Sequence, residues 1–548
     1  MGNFFKDKLK KISKTSWVLL GIILIGIFLR TYHFHDWLYF VTDQVRDTSS
    51  AEKVIRGEAP WPLLGPSMRN SAVPEENIFC LGPIYYYFQI ISGKIFGPSS
   101  ETMAYPDLLF GILAIPLFYL FLKRFFSLNI SLALTGLFSV SFFAIKYSRF
   151  AWNPNSTPFF VLLLLLSLYE FMTNKERVDW KWIASLGIAI GIGIQLHAIL
   201  LILFPATTLF IFVFLMKKNW RLWKKWAVVL AVVVFLNIPQ IINEFETGFM
   251  NSRNFVYSLE TKNRNENNNL LKNIGEDADC HIEANFFMLS SLGENTCNLS
   301  YIKILFSSKS AKFIAKTKNN IFWLEIISGF LLSAFGYGLL IYHSFKETNE
   351  RKKYFLRLIT LYATLSFFIM QSILVNPEFR YFINTLFIPF ILLGFIIDFL
   401  LKKFYRRSLV VSISICIFIF FLTTNIFSIQ SFAKEFSANT ANDAHFVFLG
   451  ETEHMANYLV DYSKNQNEIY LIGGSMYVST FSKPLGYLLE KQQLTLIPAE
   501  NMVRVIPPEK PLFYITQNSD EKPDLEIRDR KVENYKNFGR IRIYQLEN

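Results

Sequence analysis

Two aspartates that follow the first apolar stretch have the spacing of a catalytic pair. Asp43 and Asp47, in YFVTDQVRDTSSAEK, are four residues apart, so a helix would place both carboxylates on one face with Arg46 beside them. A carboxylate at a membrane surface can take the proton of a hydroxyl group when burial raises its pKa. The alternative is a solvated helical turn with a local ion pair. Asp43 and Asp47 are therefore candidates for general base chemistry, and Arg46 is a candidate for anion binding.

An aromatic segment follows in the same part of the chain. The run LGPIYYYFQIISGKIFG places Pro83 where a helix would begin and continues with Tyr85 and two further tyrosines. A tyrosine has an apolar ring and a polar hydroxyl, so such residues can line a groove for a lipid chain or a sugar. An aromatic belt at the membrane surface is the alternative. Tyr85 is therefore a candidate substrate contact.

The segment YSRFAWNPNSTPFF joins two apolar runs and places a guanidinium near amide side chains. Arg149 could grip a phosphate through two parallel hydrogen bonds, while Trp152, Asn153 and Asn155 could meet a sugar. Arg149 could instead extend along the membrane surface, and Asn-Pro-Asn also suits a plain turn. Arg149 and Asn153 are candidate binding residues on this pattern.

Two later segments place polar groups among apolar residues. In GIQLHAILLILFP, Gln195 and His197 interrupt an apolar stretch, which predicts either a functional site or a histidine satisfied by packing. In NPEFRYFINTLFIP, Glu378, Arg380 and Tyr381 precede another apolar run. An anionic headgroup is the natural ligand of an arginine at a membrane surface. His197, Arg380 and Tyr381 are therefore candidates for binding an anionic lipid.

Composition indicates which elements must position these residues. Of 548 residues, 52% are hydrophobic and 18% are charged, against about 25% charged residues in ordinary soluble proteins. The apolar residues gather in runs near the roughly 20 residues that cross a bilayer as a helix. We therefore predict an all-α polytopic membrane protein with about eleven spans instead of a string of soluble domains. The runs lie near residues 17–32, 104–122, 128–147, 156–173, 181–197, 199–216, 226–242, 320–343, 354–375, 381–401 and 408–430.

The formal charge of +12 belongs to short loops between these runs. The loops are rich in Lys and Arg, as segments that face the cytoplasm are, whereas the tail from residue 431 has more acidic than basic residues. The charge pattern therefore argues against nucleic-acid binding and favours a bacterial plasma (inner) membrane, with the N-terminus in the cytoplasm. This topology requires residues 84–97 to form an interfacial helix and not a span.

Three longer segments are then predicted on the extracytoplasmic side, at residues 33–103, at 243–319 and from 431 onward. The last of them alternates strand-like runs with a helix-like stretch near 449–463. We therefore predict a membrane domain at 1–430 and a small extracytoplasmic mixed α/β domain at 431–548.

The four cysteines indicate one candidate disulfide. Cys280 and Cys297 share the second extracytoplasmic segment and could close a loop in an oxidising compartment. Cys80 could compete as a partner, while Cys416 falls in the last apolar run. The sequence has no zinc-like spacing of Cys and His and no phosphate-binding glycine loop with a lysine.

Taken in order, these segments resemble the GT-C superfamily of polytopic glycosyltransferases, in the branch of the protein O-mannosyltransferases and the lipid A aminoarabinose transferase. The resemblance runs through DQVRD, GPIYYY, YSRFAWNPN and GIQLHAILLILFP to FRYFINTLFIPF and covers roughly residues 17–400. It implies transfer of a hexose or pentose from a polyprenyl-phosphate carrier to a hydroxyl of a glycan, lipid or protein. The transfer would take place on the outer face of the membrane, with inversion at the anomeric carbon.

The resemblance also implies roles for individual residues. Asp43 matches the position of the catalytic acidic residue, so it would remove the proton of the acceptor hydroxyl. Arg380 matches a late Arg-Tyr motif near the carrier, where it would stabilise charge on the departing phosphate, with Arg149 as a second candidate. Many relatives have an Asp-Glu pair where this chain has Asp43 and Gln44. Any second acidic role therefore passes to Asp47, and a requirement for a divalent cation stays open.

Two other classes of protein compete with an enzyme. A polytopic transporter would need ionisable or helix-breaking residues near the middle of several spans, and often an internal repeat. The sequence has few such charges and no evident repeat. A non-catalytic membrane scaffold whose tail binds a partner is the other alternative. The identity of the sugar and of the acceptor does not follow from the sequence.

Overall fold

The structure is a computed structural model. It describes residues 13–68, 74–174, 178–264, 270–292, 297, 320–373, 379–404, 407–437, 447–463, 466–499, 509–518, 526–527, 530–539 and 541–547. Most of these residues are helical, and strands are confined to a short hairpin and to the C-terminal region. The predicted fold class, a helical membrane protein with a small C-terminal α/β part, is confirmed.

Helices form along the predicted apolar runs and in the loops between them. They are α1 (Lys14–Thr31), α2 (Thr42–Ile55), α3 (Ile84–Phe96), α4 (Tyr105–Leu122), α5 (Leu128–Val140), α6 (Phe142–Lys146), α7 (Thr157–Thr173), α8 (Trp180–Leu196), α9 (Ala198–Lys218), α10 (Trp223–Leu236), α11 (Ile238–Glu246), α12 (Met250–Arg264), α13 (Leu270–Ser290), α14 (Asn320–Lys346), α15 (Glu350–Ile373), α16 (Ile388–Lys403) and α17 (Arg407–Ser437). Their buried side chains form one continuous apolar core that extends from Ala51 to Phe421.

The helices of the described part are long and apolar enough for a multi-pass membrane protein. Seven could cross a membrane by length and composition, and nine if each of two bent pairs is one span. Two further apolar helices, α5 and α8, are shorter. Together these elements account for every predicted run, while the number of eleven spans stays a prediction.

Two of the predicted spans are bent. The run at 226–242 turns by 62° between α10 and α11, and the run at 381–401 turns by 59° between the 3-10 helix Phe379–Thr385 and α16. Pro239 and Pro389 lie in the first turn of α11 and of α16. Proline lacks an N–H and its ring clashes with the carbonyl four residues earlier, so it favours a kink or a break from the preceding helix.

The segment predicted as an interfacial helix forms α3, which begins directly after Pro83. This helix has 13 residues and does not qualify as a span. Tyr85 and Tyr86 are buried, at 0% and 8% exposure, so they do not contribute to an exposed aromatic belt. Instead, α3 packs along α2. Its location at the membrane surface stays a prediction.

Two short strands, β1 (Ser67–Met68) and β2 (Phe79–Cys80), pair antiparallel. All other strands of the described residues belong to the C-terminal region. A six-stranded sheet has the order β4-β3-β5-β8-β7-β6. Its strands are β3 (Glu468–Gly473), β4 (Thr495–Pro498), β5 (Leu512–Gln517), β6 (Glu526–Ile527), β7 (Arg530–Phe538) and β8 (Ile541–Leu546). The helices of this region are α18 (Leu449–Asp461) and α19 (Ser475–Glu490).

Sheet topology explains why α19 lies where it does. β3 pairs in parallel with β4 and β5, whereas β5, β8 and β7 pair antiparallel. A parallel pair needs a crossover connection, and α19 supplies it between β3 and β4. The helices and sheet share an apolar core distinct from that of the membrane helices. Because α17 continues to Ser437, the predicted boundary at 430 falls inside a helix, and the domain limits stay a prediction.

The C-terminal region is joined to the segment that precedes α2. Phe40 N donates a hydrogen bond to Val447 O at 2.9 Å, and Leu449 N donates to Leu38 O at 2.9 Å. These bonds form a short antiparallel bridge at Tyr39. The bridge places the C-terminal region next to the helix that carries Asp43.

Candidate active site

Three charged side chains share one face of α2 near its beginning. Arg46 Nη1 donates to Asp43 Oδ1 at 3.1 Å, and Arg46 Nε donates to Asp47 Oδ1 at 2.8 Å. Residues three and four apart on a helix are neighbours on its surface, which brings these groups together. The side chain of Asp43 is 51% exposed, whereas that of Asp47 is 1% exposed. Of the two carboxylates, Asp43 is therefore the one that a substrate could reach.

Asp47 is enclosed between α2 and α3. Tyr86 Oη donates to Asp47 Oδ1 at 2.9 Å, and the Arg46 guanidinium bonds to the same oxygen. Burial raises the pKa of Asp47 above its usual range, although Arg46 and Tyr86 oppose that effect. Arg46 is thus held between a buried carboxylate and an exposed one, and this arrangement fixes its orientation beside Asp43.

Gln44 has two partners that fit an amide. Its Nε2 donates to Ala151 O at 2.8 Å, and its Oε1 accepts from Val41 N at 3.2 Å. An amide can donate and accept, whereas an ionised carboxylate can only accept. A glutamate in this position could make the second bond but not the first. Gln44 therefore joins the start of α2 to the segment that follows α6.

Asp107 is a buried carboxylate that was not selected from the sequence. At the start of α4 it has 0% exposure and accepts hydrogen bonds from Tyr85 Oη at 2.9 Å, Ser156 Oγ at 2.6 Å and Trp152 N at 3.1 Å. These bonds join α3 and α4 to the 3-10 helix Asn153–Ser156. The available signal was a single acidic residue at the start of the apolar run 104–122.

Arg149 is directed at the end of α1. Its Nη1 donates to the carbonyl oxygens of Leu29 and Arg30 at 3.1 and 3.0 Å, and its Nη2 donates to those of Tyr32 and His33 at 2.7 and 2.9 Å. Carbonyls at a helix end lack partners within the helix, so the guanidinium caps them. Burial lowers the pKa of Arg149 to about 10. Both terminal nitrogens are committed to the main chain, so we leave Arg149 out of the proposed phosphate site.

Asn153 binds, and His197 occupies, the junction of α8 and α9. Asn153 Nδ2 donates to Leu196 O at 2.6 Å. His197 Nδ1 accepts from Ile199 N at 3.1 Å and thereby caps α9. One ring nitrogen of His197 is therefore satisfied by the backbone.

Arg380 and Tyr381 lie in the 3-10 helix Phe379–Thr385. Arg380 is exposed, and its Nη2 donates to Tyr381 Oη at 3.3 Å while its guanidinium carbon lies 5.1 Å from the centroid of that ring. The ring of Tyr381 meets the His197 ring edge to face, with 6.1 Å between centroids. Glu378, predicted beside Arg380, lies outside the described residues. The structure thus presents a solvent-exposed guanidinium supported by an aromatic ring.

Contacts through Asp107 connect the two groups of candidate residues. Asp107 binds Tyr85, which precedes the Tyr86 that contacts Asp47. It also binds the 3-10 helix Asn153–Ser156, which packs against the 3-10 helix Phe379–Thr385. A chain of contacts therefore links the helix that carries the exposed Asp43 to the 3-10 helix that carries the exposed Arg380. These two side chains could remove a proton from one group and stabilise negative charge on another.

Similarities to known proteins agree with this architecture. Residues 81–242 match the family model of dolichyl-phosphate-mannose-protein mannosyltransferases. The fold resembles that of ArnT from Cupriavidus metallidurans bound to undecaprenyl phosphate, with a TM-score of 0.50, 14% sequence identity and coverage of 97% of this chain and 98% of that chain. The chain has the GT-C fold. The resemblance to this superfamily that the sequence indicates is confirmed.

A further similarity is more limited. The protein O-mannosyltransferase Pmt1-Pmt2 complex of S. cerevisiae, bound to the sugar donor, has a TM-score of 0.32 and 14% identity, over 44% of this chain and 34% of that chain. Curated protein sequences give no match.

Only part of the candidate site lies within the family match. Residues 81–242 of the chain include Tyr85, Asp107 and His197, whereas Asp43 and Arg380 lie outside that range. The roles proposed for these two residues therefore rest on the residue geometry and on the sequence resemblance.

Two of the four cysteines form a disulfide. Cys280 of α13 is bonded to Cys297. Cys80 lies in β2, where Asn251 binds its N–H at 2.8 Å and its carbonyl at 3.0 Å through the side-chain amide. Cys416 is exposed on the surface of α17.

No metal centre can be assigned within the part of the chain that the structure describes. Groups of three or more His, Cys, Asp or Glu side chains with a metal-binding arrangement are not found there. The requirement for a divalent cation stays open.

Proposed function

We propose that this chain is a membrane glycosyltransferase that moves a sugar from a polyprenyl phosphate to an acceptor hydroxyl. The observation that carries the proposal is the exposed carboxylate of Asp43, held beside Arg46 by the buried Asp47 in a GT-C fold. The family match and the undecaprenyl phosphate named for the ArnT structure support a lipid-phosphate donor. The acceptor class, whether glycan, lipid or protein, stays open.

In this proposal Asp43 acts as the general base. It accepts the proton of the acceptor hydroxyl while that oxygen forms a bond to the anomeric carbon of the sugar. The bond between the anomeric carbon and the phosphate oxygen breaks on the opposite side, and its electron pair leaves with the lipid phosphate. Attack opposite the leaving group inverts the configuration of the anomeric carbon. Arg46 holds the Asp43 carboxylate in place as it gains the proton.

Arg380 is the proposed contact of the departing phosphate. Negative charge grows on that phosphate as the bond to the sugar breaks, and a guanidinium can stabilise it through two parallel hydrogen bonds. Arg380 is exposed, and the Tyr381 ring supports its guanidinium. The His197 ring packs edge to face against Tyr381 and would stabilise the position of that ring.

A cavity next to the same 3-10 helix could hold the isoprenoid chain. A space of about 430 Å³ lies between α13, α14 and α15 and is lined mainly by apolar side chains, including Phe330 and Phe367. His281 lines it too, and the His281 ring lies 4.5 Å from that of Phe382, centroid to centroid. Because Phe382 comes shortly after Arg380, a chain in this cavity would end near the proposed phosphate contact.

The proposed orientation is that of a bacterial inner membrane protein. It places the candidate site residues on the extracytoplasmic side and the N-terminus in the cytoplasm. It follows from the basic loops at the opposite end of the bundle. Single cysteines at Ser252 and Lys224, in a chain that lacks Cys80 and Cys416, test it in whole cells. A membrane-impermeant thiol reagent should label position 252 from outside and position 224 only after lysis. The reverse pattern would contradict the orientation.

The substitution Asp43→Asn tests the chemical role. We expect it to lower sugar transfer from polyprenyl-phosphate hexoses and pentoses by about 100-fold or more, because the base is lost. Asp179→Asn is the matched control, since Asp179 is exposed and lies just before α8. Full activity of Asp43→Asn would remove Asp43 from the mechanism. Absence of transfer by the wild-type protein with every such donor would overturn the enzyme proposal itself.

A further inference from the structure

The C-terminal region contacts α2 at a buried glutamate. Glu52 is 3% exposed, and its Oε1 accepts hydrogen bonds from Tyr487 Oη at 2.6 Å and from Lys491 Nζ at 2.9 Å. Its Oε2 accepts from Arg56 Nη2 at 3.0 Å. Tyr487 lies in α19 and Lys491 directly follows it. Two side chains of the C-terminal region therefore satisfy one carboxylate on the helix that carries Asp43.

Tyr487 also reaches the beginning of α2. Its ring lies 5.6 Å from that of Phe40, centroid to centroid, and it belongs to the same apolar cluster as Phe40 and Ala151. Phe40 comes just before α2, whereas Glu52 lies in its second half. One side chain of α19 therefore contacts the chain on both sides of Asp43.

Attachment of the C-terminal region does not depend on Glu52. The main-chain bonds of Phe40 to Val447 and of Leu449 to Leu38 join the two parts independently. A buried carboxylate that loses its partners keeps the cost of its desolvation, so the helix around it is expected to shift or to admit water. Loss of the Glu52 contacts should therefore loosen α2 while the C-terminal region stays attached.

We infer that Tyr487 and Lys491 are positioning residues, which hold α2 through Glu52 in the orientation that presents Asp43 to the substrate. The catalytic part of this inference rests on the proposed function. Its structural part, the restraint of α2 by the C-terminal region, can be tested without any activity.

Steady-state kinetics test the catalytic part. We expect Tyr487→Phe and Lys491→Met to lower kcat by about 10- to 100-fold, since a small displacement of a reacting group costs that much, while KM for the lipid donor changes little. Lys491→Arg should keep most of the activity because it retains the cation. Lys483→Met makes the same change at an exposed position of α19 and is the control. Unchanged kcat in both variants, or an equal loss in the control, would overturn the inference.

A double-mutant cycle tests whether these residues act through Glu52. If they do, Glu52→Gln combined with Lys491→Met should reduce kcat little more than either change alone. If the losses multiply, the two residues act independently and the inference is wrong.

Hydrogen exchange of the full-length protein separates this inference from the proposed function. Amides of residues 42–55 should exchange at least about 10-fold faster in Lys491→Met and Tyr487→Phe than in the wild type, while those of β3 and β5 keep their protection. This result would support the restraint of α2 even if no glycosyl transfer is found. Unchanged exchange in residues 42–55 would refute it even if the enzyme is active.

Discussion

Tyr86 Oη donates a hydrogen bond of 2.9 Å to Oδ1 of Asp47, the same oxygen that accepts the Arg46 guanidinium. The other oxygen, Oδ2, is buried and has no hydrogen-bond partner within the described residues. A single oxygen therefore receives both donors that stabilise the ionised carboxylate. The orientation of Arg46 beside Asp43 thus depends on a hydroxyl that α3 supplies.

Removal of that hydroxyl should affect both stability and activity. We expect Tyr86→Phe to lower the free energy of unfolding by roughly 2 kcal/mol, because hydrogen bonds to charged groups contribute about 1.5–3 kcal/mol. The kcat of transfer should fall about 10-fold as Arg46 and Asp43 lose their support. Tyr87→Phe is the control, since Tyr87 Oη donates to a neutral group, Pro62 O, at 2.8 Å. Thermal unfolding and kinetics in the same detergent measure both effects, and equal losses in the two variants would contradict the prediction.

The stability that Asp47 contributes should increase in acid. Burial raises the pKa of Asp47, so the folded protein binds a proton at pH values where the unfolded chain, with a pKa of roughly 3.9, does not. The contribution is therefore fully present below about pH 3.9 and is lost as the pH rises through the raised pKa of the folded state. Between about pH 7 and about pH 4, the melting temperature of the wild type should rise relative to that of Asp47→Asn. Asp179→Asn, which changes an exposed aspartate, is the control. A difference that shrinks in acid would refute the prediction.

The sequence is sufficient to predict most of the fold because its signals are local. A run of apolar residues predicts a membrane helix from composition alone, and EIYLIG coincides with the bounds of β3. The strand β7 was missed because the first eight residues of RKVENYKNF are exposed or half-exposed and only Phe538 is buried, so its pattern is too polar. The bends before α11 and α16 coincide with Pro239 and Pro389 in the first turn of each helix. The sequence does not show whether a proline within an apolar run will bend the helix, so these bends were not predicted.

The candidate site could be predicted only where its contacts are local. The spacing of Asp43, Arg46 and Asp47 predicts their common helix face. The contacts of Asp107 and Glu52 join segments far apart in the chain, and no spacing indicates them. Arg149 shows a second reason why the site could not be predicted. A guanidinium suits a lipid phosphate and a helix end equally well, and only the fold decides which of them it contacts.

His35 should make the attachment of α18 depend on pH. Its Nδ1 lies 3.0 Å from Glu101 Oε2 and its Nε2 lies 2.8 Å from Glu453 Oε2. Partial burial lowers the pKa of His35, but the hydrogen bonds and charges of both glutamates outweigh it and raise the pKa. The stabilisation is therefore fully present below the unfolded pKa of about 6.5 and is lost as the pH rises through the folded value.

Hydrogen exchange in α18 can measure this effect. In the wild type, amides of Leu449–Asp461 should exchange faster than expected from the intrinsic pH dependence as the pH rises from about 6 to about 8. The extra increase should disappear in His35→Gln. His454→Gln changes an exposed histidine on the same helix and should behave as the wild type does. If exchange in the wild type follows only the intrinsic pH dependence, the contact does not titrate in this range.

Arg380 should contribute to donor binding, whereas the exposed Arg253 should not. Loss of hydrogen bonds to a charged group costs about 1.5–3 kcal/mol, so Arg380→Ala should raise the apparent KM for the polyprenyl-phosphate sugar about 10- to 100-fold. Arg380→Lys should recover part of the loss, because lysine retains the charge but not the planar pair of donors. Arg253→Ala is the control, since Arg253 is exposed and donates to Gly248 O. Unchanged kcat and KM in Arg380→Ala would exclude it from the donor site.

The cavity between α13, α14 and α15 should discriminate donors by the length of their isoprenoid chain. Ala363 lines this cavity of about 430 Å³, and a tryptophan there would occupy much of it. Ala363→Trp should therefore raise KM for a donor with a long polyprenyl chain and leave transfer from a two-isoprene donor unchanged, because the short chain does not need the space. Ala133→Trp makes the same change in a different cavity of about 340 Å³, between α5, α16 and α17, and controls for a general effect of tryptophan among the membrane helices. If Ala363→Trp affects long and short donors equally, the carrier chain lies elsewhere. If Ala133→Trp alone selects against long chains, the cavity beside α5 is the binding site instead.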